Sequence, residues 1–125
     1  MRWTLRRRQT GQTGEQIAAR HLFRKGFRLL EHNYRCERGE IDLIAEDHGT
    51  LVFVEVKTRR SLASGSPEEA VDREKQRKIC RAANWYLQPW QRWPLPIRFD
   101  VVAIELDESD HVVAIRHIPA AFGTE

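Results

Sequence analysis

The first part of the chain carries apolar positions at the spacing of a helix. These positions are Ile17, Ala18, Leu22 and Phe23. Thr13, with Gln16 three positions later, fits a capping box, and Gly26 fits the residue that follows a helix end. The pattern therefore predicts a first helix that begins at Thr13 and stops at Gly26.

Most of the remaining chain is typical of strands. The segments are rich in β-branched and aromatic residues and are bounded by small and polar ones. The predicted strands cover residues 27–34, 39–45, 50–58, 97–106 and 111–118. Polar turns at 46–49 and 107–110 join the second strand to the third and the fourth to the fifth.

A second helix is predicted between the third and fourth strands and ends near residue 88. Ser66-Pro67 and Asp72 both fit its start, and we expect the longer helix to begin near Asp72 after a turn. Residues 59–66 predict a flexible loop, whereas the three prolines within 89–96 exclude regular structure there. The order of elements predicts an α/β (α+β sandwich-like) fold, with a mixed sheet of about five strands flanked by helices.

Length and composition favour one folded domain. The chain has 125 residues, of which 41% are hydrophobic and 31% charged. We expect residues 1–12 to form a flexible basic arm and residues 13–125 a single domain. The sequence shows neither a signal peptide nor a membrane-spanning run, which predicts a cytoplasmic protein with no membrane partner. Cys36 and Cys80 lack zinc or disulfide spacing, so we expect buried free thiols.

Charge is distributed unevenly along the chain, although the net charge is only +3. Residues 1–35 hold nine Arg or Lys and two acids, whereas residues 99–125 hold six acids and one Arg. A solvated basic face would explain this distribution. A surface that binds the phosphates of a nucleic acid would explain it equally.

Charged residues interrupt two strands that are otherwise apolar on both faces. Asp42 lies in the second strand, and Glu55 and Lys57 lie in the third. A two-residue turn at His48-Gly49 would place Asp42 opposite Glu55, with about 5 Å between them. The same register would place Glu40 opposite Lys57. A four-residue loop would make the contact between Asp42 and Glu55 diagonal instead.

Two carboxylates at that position require a positive charge between them, because like charges that face each other destabilise a sheet. Lys57 could supply part of this charge, and a magnesium ion held by the two carboxylates and by water could supply the rest. The alternative is a solvated ion-pair cluster at the strand ends. Glu55 argues against that alternative, because it follows four apolar residues and precedes Val56.

An ordered set of motifs resembles a known family. Asp42 followed by Glu55-Val56-Lys57 resembles the metal-binding core of the PD-(D/E)xK nucleases, although Ile41 stands where that superfamily has proline. The whole set is similar to the YraN-like family of small bacterial proteins from residue 14 to residue 122. It comprises residues 14–15, 26–27, 39–45, 53–59, 65–67, 69–71, 75–76 and 98–102. The resemblance implies a restriction-endonuclease-like core.

The resemblance also implies site residues and a cofactor. Asp42 and Glu55 would hold Mg²⁺ or Mn²⁺, with the Val56 carbonyl as a third ligand. Lys57 would orient the attacking water and stabilise charge on the phosphate. Glu15 matches a catalytic acid on the first helix, but an acid near a helix start also favours the helix dipole.

Basic residues near this site are candidates for binding nucleic acid. They are Arg59, Arg60, Lys75, Arg77, Lys78 and Arg81. An ordinary exposed helix face would also carry such residues. Trp85, Trp90 and Trp93 fit a core cluster better than a base-stacking platform, and a contact between the two copies of a dimer is a further option.

The function predicted from these residues is a magnesium-dependent endonuclease that acts on DNA, including branched DNA. A homodimer and a DNA-processing protein partner are compatible with it. The alternative is a catalytically silent module on the same fold that binds nucleic acid or a protein partner. The complete set of two acids and a lysine favours the enzyme, because acids repel phosphate and a binding module does not need them.

Overall fold

The computed structural model describes residues 10–60, 71–90 and 95–123 of the chain. In chain order the elements are α1 (Thr10–Arg24), β1 (Arg28–Cys36), β2 (Gly39–Asp47), β3 (Thr50–Arg60), α2 (Arg73–Leu87), β4 (Ile97–Leu106) and β5 (Val112–Phe122). A short 3-10 turn at Gln88–Trp90 follows α2. This α+β arrangement confirms the predicted fold class and is consistent with a restriction-endonuclease-like core.

The five strands form one mixed sheet in the order β1-β2-β3-β4-β5. Neighbouring strands are antiparallel except β3 and β4, which are parallel. Parallel neighbours need a long crossover, and the segment that contains α2 provides it. The acid-bearing strand β3 is thereby at the centre of the sheet, as its two apolar faces predicted.

The two helices cover opposite faces of the sheet. Ala18 and Leu22 of α1 pack in one cluster with Val54 and Val102. Residues of α2, Ile79 among them, pack in a second cluster with strand residues that include Phe53 and Phe99. Burial of large apolar side chains such as Phe53 supplies roughly 2 kcal/mol each, so both layers hold the strands in place.

Helix α1 ends where the sequence predicted but begins earlier. The Gly26 N–H donates to the Phe23 carbonyl and the Phe27 N–H donates to the Leu22 carbonyl, which is a Schellman motif, and Gly26 has φ +96°. The start at Thr10 makes the prediction of a cap at Thr13 wrong. Tertiary packing explains the difference.

The packing that overrides the local signal is visible at Gly14. A Cβ placed on Gly14 would lie 2.5 Å from the Thr58 Oγ1, so the helix approaches β3 closely at this residue. Gly14 therefore lies inside α1, at a close contact between the helix and β3. In the sequence alone, the residues around Gly14 resemble a helix start.

The turn between β2 and β3 is the shorter of the two alternatives. His48 and Gly49 have φ values of +50° and +88°, and Asp47 pairs with Thr50. Positive φ at both central residues is typical of a type I′ hairpin turn. This turn sets the register of the strands that carry the candidate site.

Helix α2 begins at the predicted cap. Asp72 accepts a hydrogen bond from the Lys75 N–H at 2.9 Å, and the helix starts at Arg73. Such a cap contributes about 1 kcal/mol and sets the rotation of the first helical turn. The other candidate start, Ser66-Pro67, lies outside the described residues.

Several predicted boundaries and burial states need correction. Arg59 and Arg60 continue β3 instead of starting a loop, because they pair with Glu105 and Leu106 of β4. Strand β5 likewise extends beyond residue 118, to Phe122. The two cysteines are free, as predicted, but half-buried instead of buried. No described helix is long and apolar enough to cross a membrane.

The tryptophan prediction is only partly covered by the described residues. Trp85 is half-buried, and the guanidinium carbon of Arg38 lies 5.7 Å from the centre of its ring. One face of the Trp85 ring is therefore covered by the guanidinium group of Arg38 and is not packed in the core. Trp93 and the side chain of Trp90 lie outside the described residues.

Candidate metal centre

The candidate site lies where β2 and β3 diverge. Their ladder runs from the turn to the pair of Leu43 and Val54 and goes no further. Beyond it the Val56 N–H donates to the Asp42 Oδ2 at 2.8 Å. A side chain thus replaces the next backbone partner, which holds the carboxylate of Asp42 in the fork between the strands.

Glu55 is the buried acid of the site. It is 5% exposed and belongs to β3, and its Oε2 lies 3.6 Å from the Lys75 Nζ of α2. The last ladder pair is Leu43 with Val54, so Asp42 and Glu55 are the next residues of the two strands, in the predicted register but just beyond the paired ladder. The two carboxylates nevertheless interact, as the pKa of Glu55 shows.

Burial and a neighbouring charge both disfavour ionisation of Glu55. Burial is the larger cause, the charge of Asp42 is the second, and together they raise the pKa of Glu55 to about 7. Lys75 and Lys57 act in the opposite direction. Glu55 is therefore close to half-protonated at neutral pH while no further cation is present.

Glu15 of α1 joins the same acidic cluster. Partial burial raises its pKa to about 7, and the charges of Asp42 and Glu40 add to this effect, while Arg35 opposes it. The helix-dipole explanation for Glu15 required an acid at the helix start. Because α1 begins at Thr10, Glu15 lies beyond the first turn. Its proximity to Asp42 fits the predicted catalytic position better.

Lys57 lies on β3 next to the two acids, and it is half-buried. Its charge lowers the pKa of Glu55, so it is within electrostatic reach of that carboxylate. The predicted pairing of Lys57 with Glu40 is wrong, because the ladder between β2 and β3 ends before it. Glu40 instead contacts Arg35 of β1 at 3.5 Å.

The residues fit a divalent cation that is held by two carboxylates. Asp42 and Glu55 provide oxygen ligands whose mutual repulsion a cation would relieve, and magnesium usually binds one or two protein carboxylates and several waters. Among the described residues, no group of three or more His, Cys, Asp or Glu side chains is arranged to hold a metal ion. Glu15 is predicted as a catalytic acid beside the two candidate ligands and not as a ligand itself. The Val56 carbonyl stays a prediction.

Comparison with known proteins identifies the family. The model for "Uncharacterised protein family UPF0102" matches residues 14–104. The chain belongs to the UPF0102 family. The resemblance predicted from the ordered motifs is thereby confirmed.

Several UPF0102 proteins are similar over most of their length. The one from Chlorobaculum tepidum is 50% identical over 120 residues, with 90% of each chain covered. The one from Syntrophotalea carbinolica is 44% identical over 124 residues, with 98% of each covered. Among solved structures, Pyrococcus furiosus SfsA in complex with Ca²⁺ matches 89% of this chain and 63% of its own, at 12% identity and a TM-score of 0.37. That likeness is too weak to carry an argument about fold or activity.

The basic residues predicted to bind nucleic acid occupy different surroundings in this UPF0102 protein. Lys75 lies at Glu55, inside the site. Lys78 contacts Glu74 at 3.8 Å on the exposed side of α2. Arg60 is held by Asp110 in the turn between β4 and β5. These contacts place one of the six predicted residues at the site and two others in surface ion pairs.

Arg77 and Arg81 remain together, and the structure adds Arg73 to them. The three lie four positions apart on α2 and line a groove of about 600 Å³ between α2 and the end of β5. Gln76 and Asn84 supply amides to the same groove. Guanidinium and amide groups in a row match the phosphates of a nucleic-acid strand. We name this surface the α2 groove.

Sequence reasoning missed the position of Lys75 relative to Glu55. The two residues are 20 positions apart, and their contact depends on how α2 lies over the sheet. The signal was present locally, because the cap at Asp72 determines which residues of the first turn face the sheet. The direction of the helix axis, however, depends on packing and could not be inferred from the sequence.

Proposed function

We propose that this UPF0102 protein is a divalent-metal-dependent nuclease that hydrolyses phosphodiester bonds in DNA. The observation that carries the proposal is the pair of carboxylates at the fork, where the Val56 N–H holds Asp42 beside the buried Glu55. Burial, with the charge of Asp42 as the second cause, raises the pKa of Glu55 to about 7, which costs stability and has a purpose if a cation is to be bound.

The residues of the site have different roles in the proposed reaction. Asp42 and Glu55 would hold the cation, Mg²⁺ or Mn²⁺, which would supply an activated water and stabilise charge on the phosphoryl oxygens. The ammonium group of Lys57 donates hydrogen bonds to the attacking water or to a phosphoryl oxygen. Lys75 lies 3.6 Å from Glu55 and keeps that carboxylate oriented. Glu15 can exchange a proton near the cluster around neutral pH, because its pKa is raised to about 7 by burial and by Asp42.

The α2 groove supports nucleic acid as the substrate class. Its row of guanidinium groups begins at Arg73, two positions before the site residue Lys75. A strand bound along the row would therefore pass the first turn of α2, close to the carboxylates. Binding through phosphates predicts an affinity that falls steeply with salt.

The test is cleavage of single-stranded, duplex, flapped and four-way-junction DNA by purified protein in Mg²⁺, in Mn²⁺ or in EDTA. Loss of a residue that merely supports a metal ligand typically costs about 10–100-fold, so Glu55→Gln, which removes a ligand, should reduce cleavage by at least about 100-fold. Glu108→Gln, at an exposed position of the turn between β4 and β5, is the matched control. Equal cleavage by Glu55→Gln and the control would refute the proposal.

A nucleic-acid-binding module without turnover is the second candidate, and one contact favours it. The ion pair of Lys75 and Glu55 partly neutralises the buried acid without any metal. This candidate predicts salt-sensitive DNA binding through the α2 groove and no product in either metal. Arg77→Ala with Arg81→Ala should then weaken binding, while Asp42→Asn should leave it unchanged or stronger.

A further inference from the structure

A second groove lies on the other face of the sheet, beside α1. Five strands at about 4.8 Å spacing span about 20 Å, whereas one helix covers about 10 Å. Helix α1 packs mainly on β1 to β4 and leaves an opening beside the start of β5, whose Val112 and Ile115 reach the same cluster. The opening is a groove of about 510 Å³ between α1 and the start of β5, which we name the α1 groove.

The floor of the α1 groove is apolar. Ile17 of α1 and Val112 and Ile115 of β5 line it, and all three are half-buried at the margin of the core. Val113, also in the lining, leaves 54% of its surface exposed. A β-strand surface of this kind accommodates the face of a planar ring, because such a ring has two apolar faces and a polar edge.

The rim of the α1 groove is basic. Arg20, His21 and Arg24 come from α1, and His111 comes from the turn before β5. The acid in the lining is Asp107, whose Oδ1 accepts the N–H groups of Ser109 at 2.8 Å and His111 at 2.9 Å. Asp107 is thus engaged by its own turn, with its Oδ2 3.4 Å from the His111 Nδ1, and the guanidinium groups of Arg20 and Arg24 are the permanent charges of the rim.

The positive groups also act on one another. Partial burial lowers the pKa of His21, and the charges of Lys25, His117 and Arg24 lower it further. An anion bound at the rim would relieve this repulsion, as a cation would relieve the repulsion at the carboxylate pair.

The α1 groove is separate from the carboxylate pair. Ile17, His21 and Arg24 follow each other at helical spacing on one side of α1. Glu15, Ala18 and Leu22 follow the same spacing on another side, and Ala18 and Leu22 are fully buried against the sheet. A ligand in the α1 groove would therefore not occupy the candidate metal centre.

We propose that the α1 groove binds a nucleoside monophosphate, with the base on Ile17, Val112 and Ile115 and the phosphate at Arg20 and Arg24. The combination of an apolar floor with guanidinium groups at one rim matches a base joined to a phosphate. The volume of about 510 Å³ is within the range of about 300–1,000 Å³ that small-molecule sites occupy. The ligand is either free or one unit of a single strand.

The experiment uses the full chain in EDTA, so that it does not depend on cleavage. Adenosine monophosphate is titrated while the methyl resonances of Ile17, Val112 and Val113 are followed by NMR. We expect saturable shifts of these methyl groups on addition of adenosine monophosphate. Adenosine alone and inorganic phosphate alone should each bind at least about tenfold more weakly. No saturable shift at these methyl groups would overturn the proposal, as would equal binding of inorganic phosphate alone.

Variants make the test specific. Arg20→Ala and Arg24→Ala should each weaken binding of adenosine monophosphate by about tenfold, because each removes a charge-assisted hydrogen bond. Arg28→Ala, an exposed arginine of β1, is the control and should bind like the parent. Equal weakening in the control, or none in the groove variants, would contradict the proposal.

A competition arm identifies the source of the nucleotide. A short deoxyadenosine oligonucleotide is added to protein saturated with adenosine monophosphate. Reversal of the methyl shifts supports a strand unit as the ligand, whereas persistence of the shifts supports a free nucleotide. Both outcomes are consistent with the groove as a nucleotide site and assign its ligand.

Discussion

Two groups of buried charge in the same sheet differ in how completely they are satisfied. At the fork, Glu55 is 5% exposed beside Asp42, and burial and that neighbour raise its pKa to about 7. On β4, Asp100 is 0% exposed. Burial acts to raise the pKa of Asp100 as well, but the hydrogen bonds of His117 and Arg98 and of a backbone N–H outweigh it and leave the pKa lowered.

The partners of Asp100 form a closed network. Arg98 donates to it at 2.9 and 3.1 Å, the His117 Nε2 lies at 2.7 Å and the Ala120 N–H donates at 2.9 Å. Lys25 can only donate to the His117 Nδ1, which lies 2.6 Å away, so His117 carries its proton on Nε2, towards Asp100. The network connects the end of α1 to β4 and β5.

The comparison teaches how to tell a structural acid from a functional one. An acid whose buried charge is fully paired is costly to replace, because its partners are then left buried and unpaired. An acid that faces another acid costs stability, and the molecule keeps it for what it binds. Substitutions at the two places should therefore have opposite effects on the free energy of unfolding.

The largest effect is expected at the satisfied acid. Asp100→Asn leaves Arg98 and His117 without their shared carboxylate and should lower the free energy of unfolding by about 3–5 kcal/mol. Asp42→Asn, the matched change at the fork, should be neutral or stabilising in metal-free buffer. Urea unfolding of both variants measures the difference, and a larger loss for Asp42→Asn would break the comparison.

The second-largest effect is expected from added metal, which should offset the destabilisation caused by Asp42 and Glu55 at the fork. Added Mg²⁺ binds the folded state, so at about 100 times its dissociation constant the free energy of unfolding should rise by about 2.7 kcal/mol. Asp42→Asn and Glu55→Gln should abolish this gain, whereas Glu108→Gln should retain it. Thermal unfolding with and without Mg²⁺ is the measurement, and an equal gain in all variants would place the metal elsewhere.

In EDTA, the pH dependence of the free energy of unfolding should show the destabilisation that results when the acids at the fork ionise. Glu15 and Glu55 have pKa values raised from 4.5 to about 7, so the folded state binds more protons than the unfolded state between these values. Their contribution to stability is therefore greatest below about pH 4.5 and is lost as the pH rises through about 7, by roughly 1–2 kcal/mol after allowance for solvent screening and coupling. Glu55→Gln should flatten the curve.

Asp100 does not interfere with that measurement, because its contribution to stability changes only below the interval from pH 4.5 to 7. Its pKa is lowered from 3.8, so its contribution is present above that value and is lost only as the pH falls further. A decrease between pH 4.5 and 7 thus reports the acids at the fork. Stability that rises across this interval would contradict the assignment.

The smallest effect is expected at Lys75. Lys75→Met removes the cation 3.6 Å from Glu55, so the pKa of Glu55 should rise further and stability at pH 8 in EDTA should fall by about 1 kcal/mol. At pH 5, where Glu55 is protonated in both proteins, the difference should vanish. Lys78→Met is the matched control, and a loss that is independent of pH would show that Lys75 acts through packing alone.

Local sequence signals predicted much of the fold. The bounds of β4 agree with the prediction, the cap at Asp72 begins α2, and the turn at His48 and Gly49 fixes the register of β2 and β3. These features depend on neighbouring residues and on strand periodicity. The start of α1 was missed because Gly14 serves a contact with Thr58, which is remote in the sequence.

The residues of the candidate site also divide into those that local sequence signals or the resemblance identify and those whose positions depend on packing. Asp42, Glu55 and Lys57 could be recognised from charges within apolar strands, and Glu15 from the resemblance. The sequence could not show that Glu15 and Lys75 approach Asp42 and Glu55. It also could not show the separation of the basic residues or the network around Asp100. Each depends on where a helix or a distant strand packs.

The sequence by itself determined the elements, the strand register at the hairpin and the acids at the end of the ladder, because periodicity, turn residues and caps act over a few positions. The tertiary structure decided which buried charges are paired and which face each other. That difference depends on distances of a few ångströms between residues far apart in the chain. Those distances result from packing of the two helices against opposite faces of the sheet.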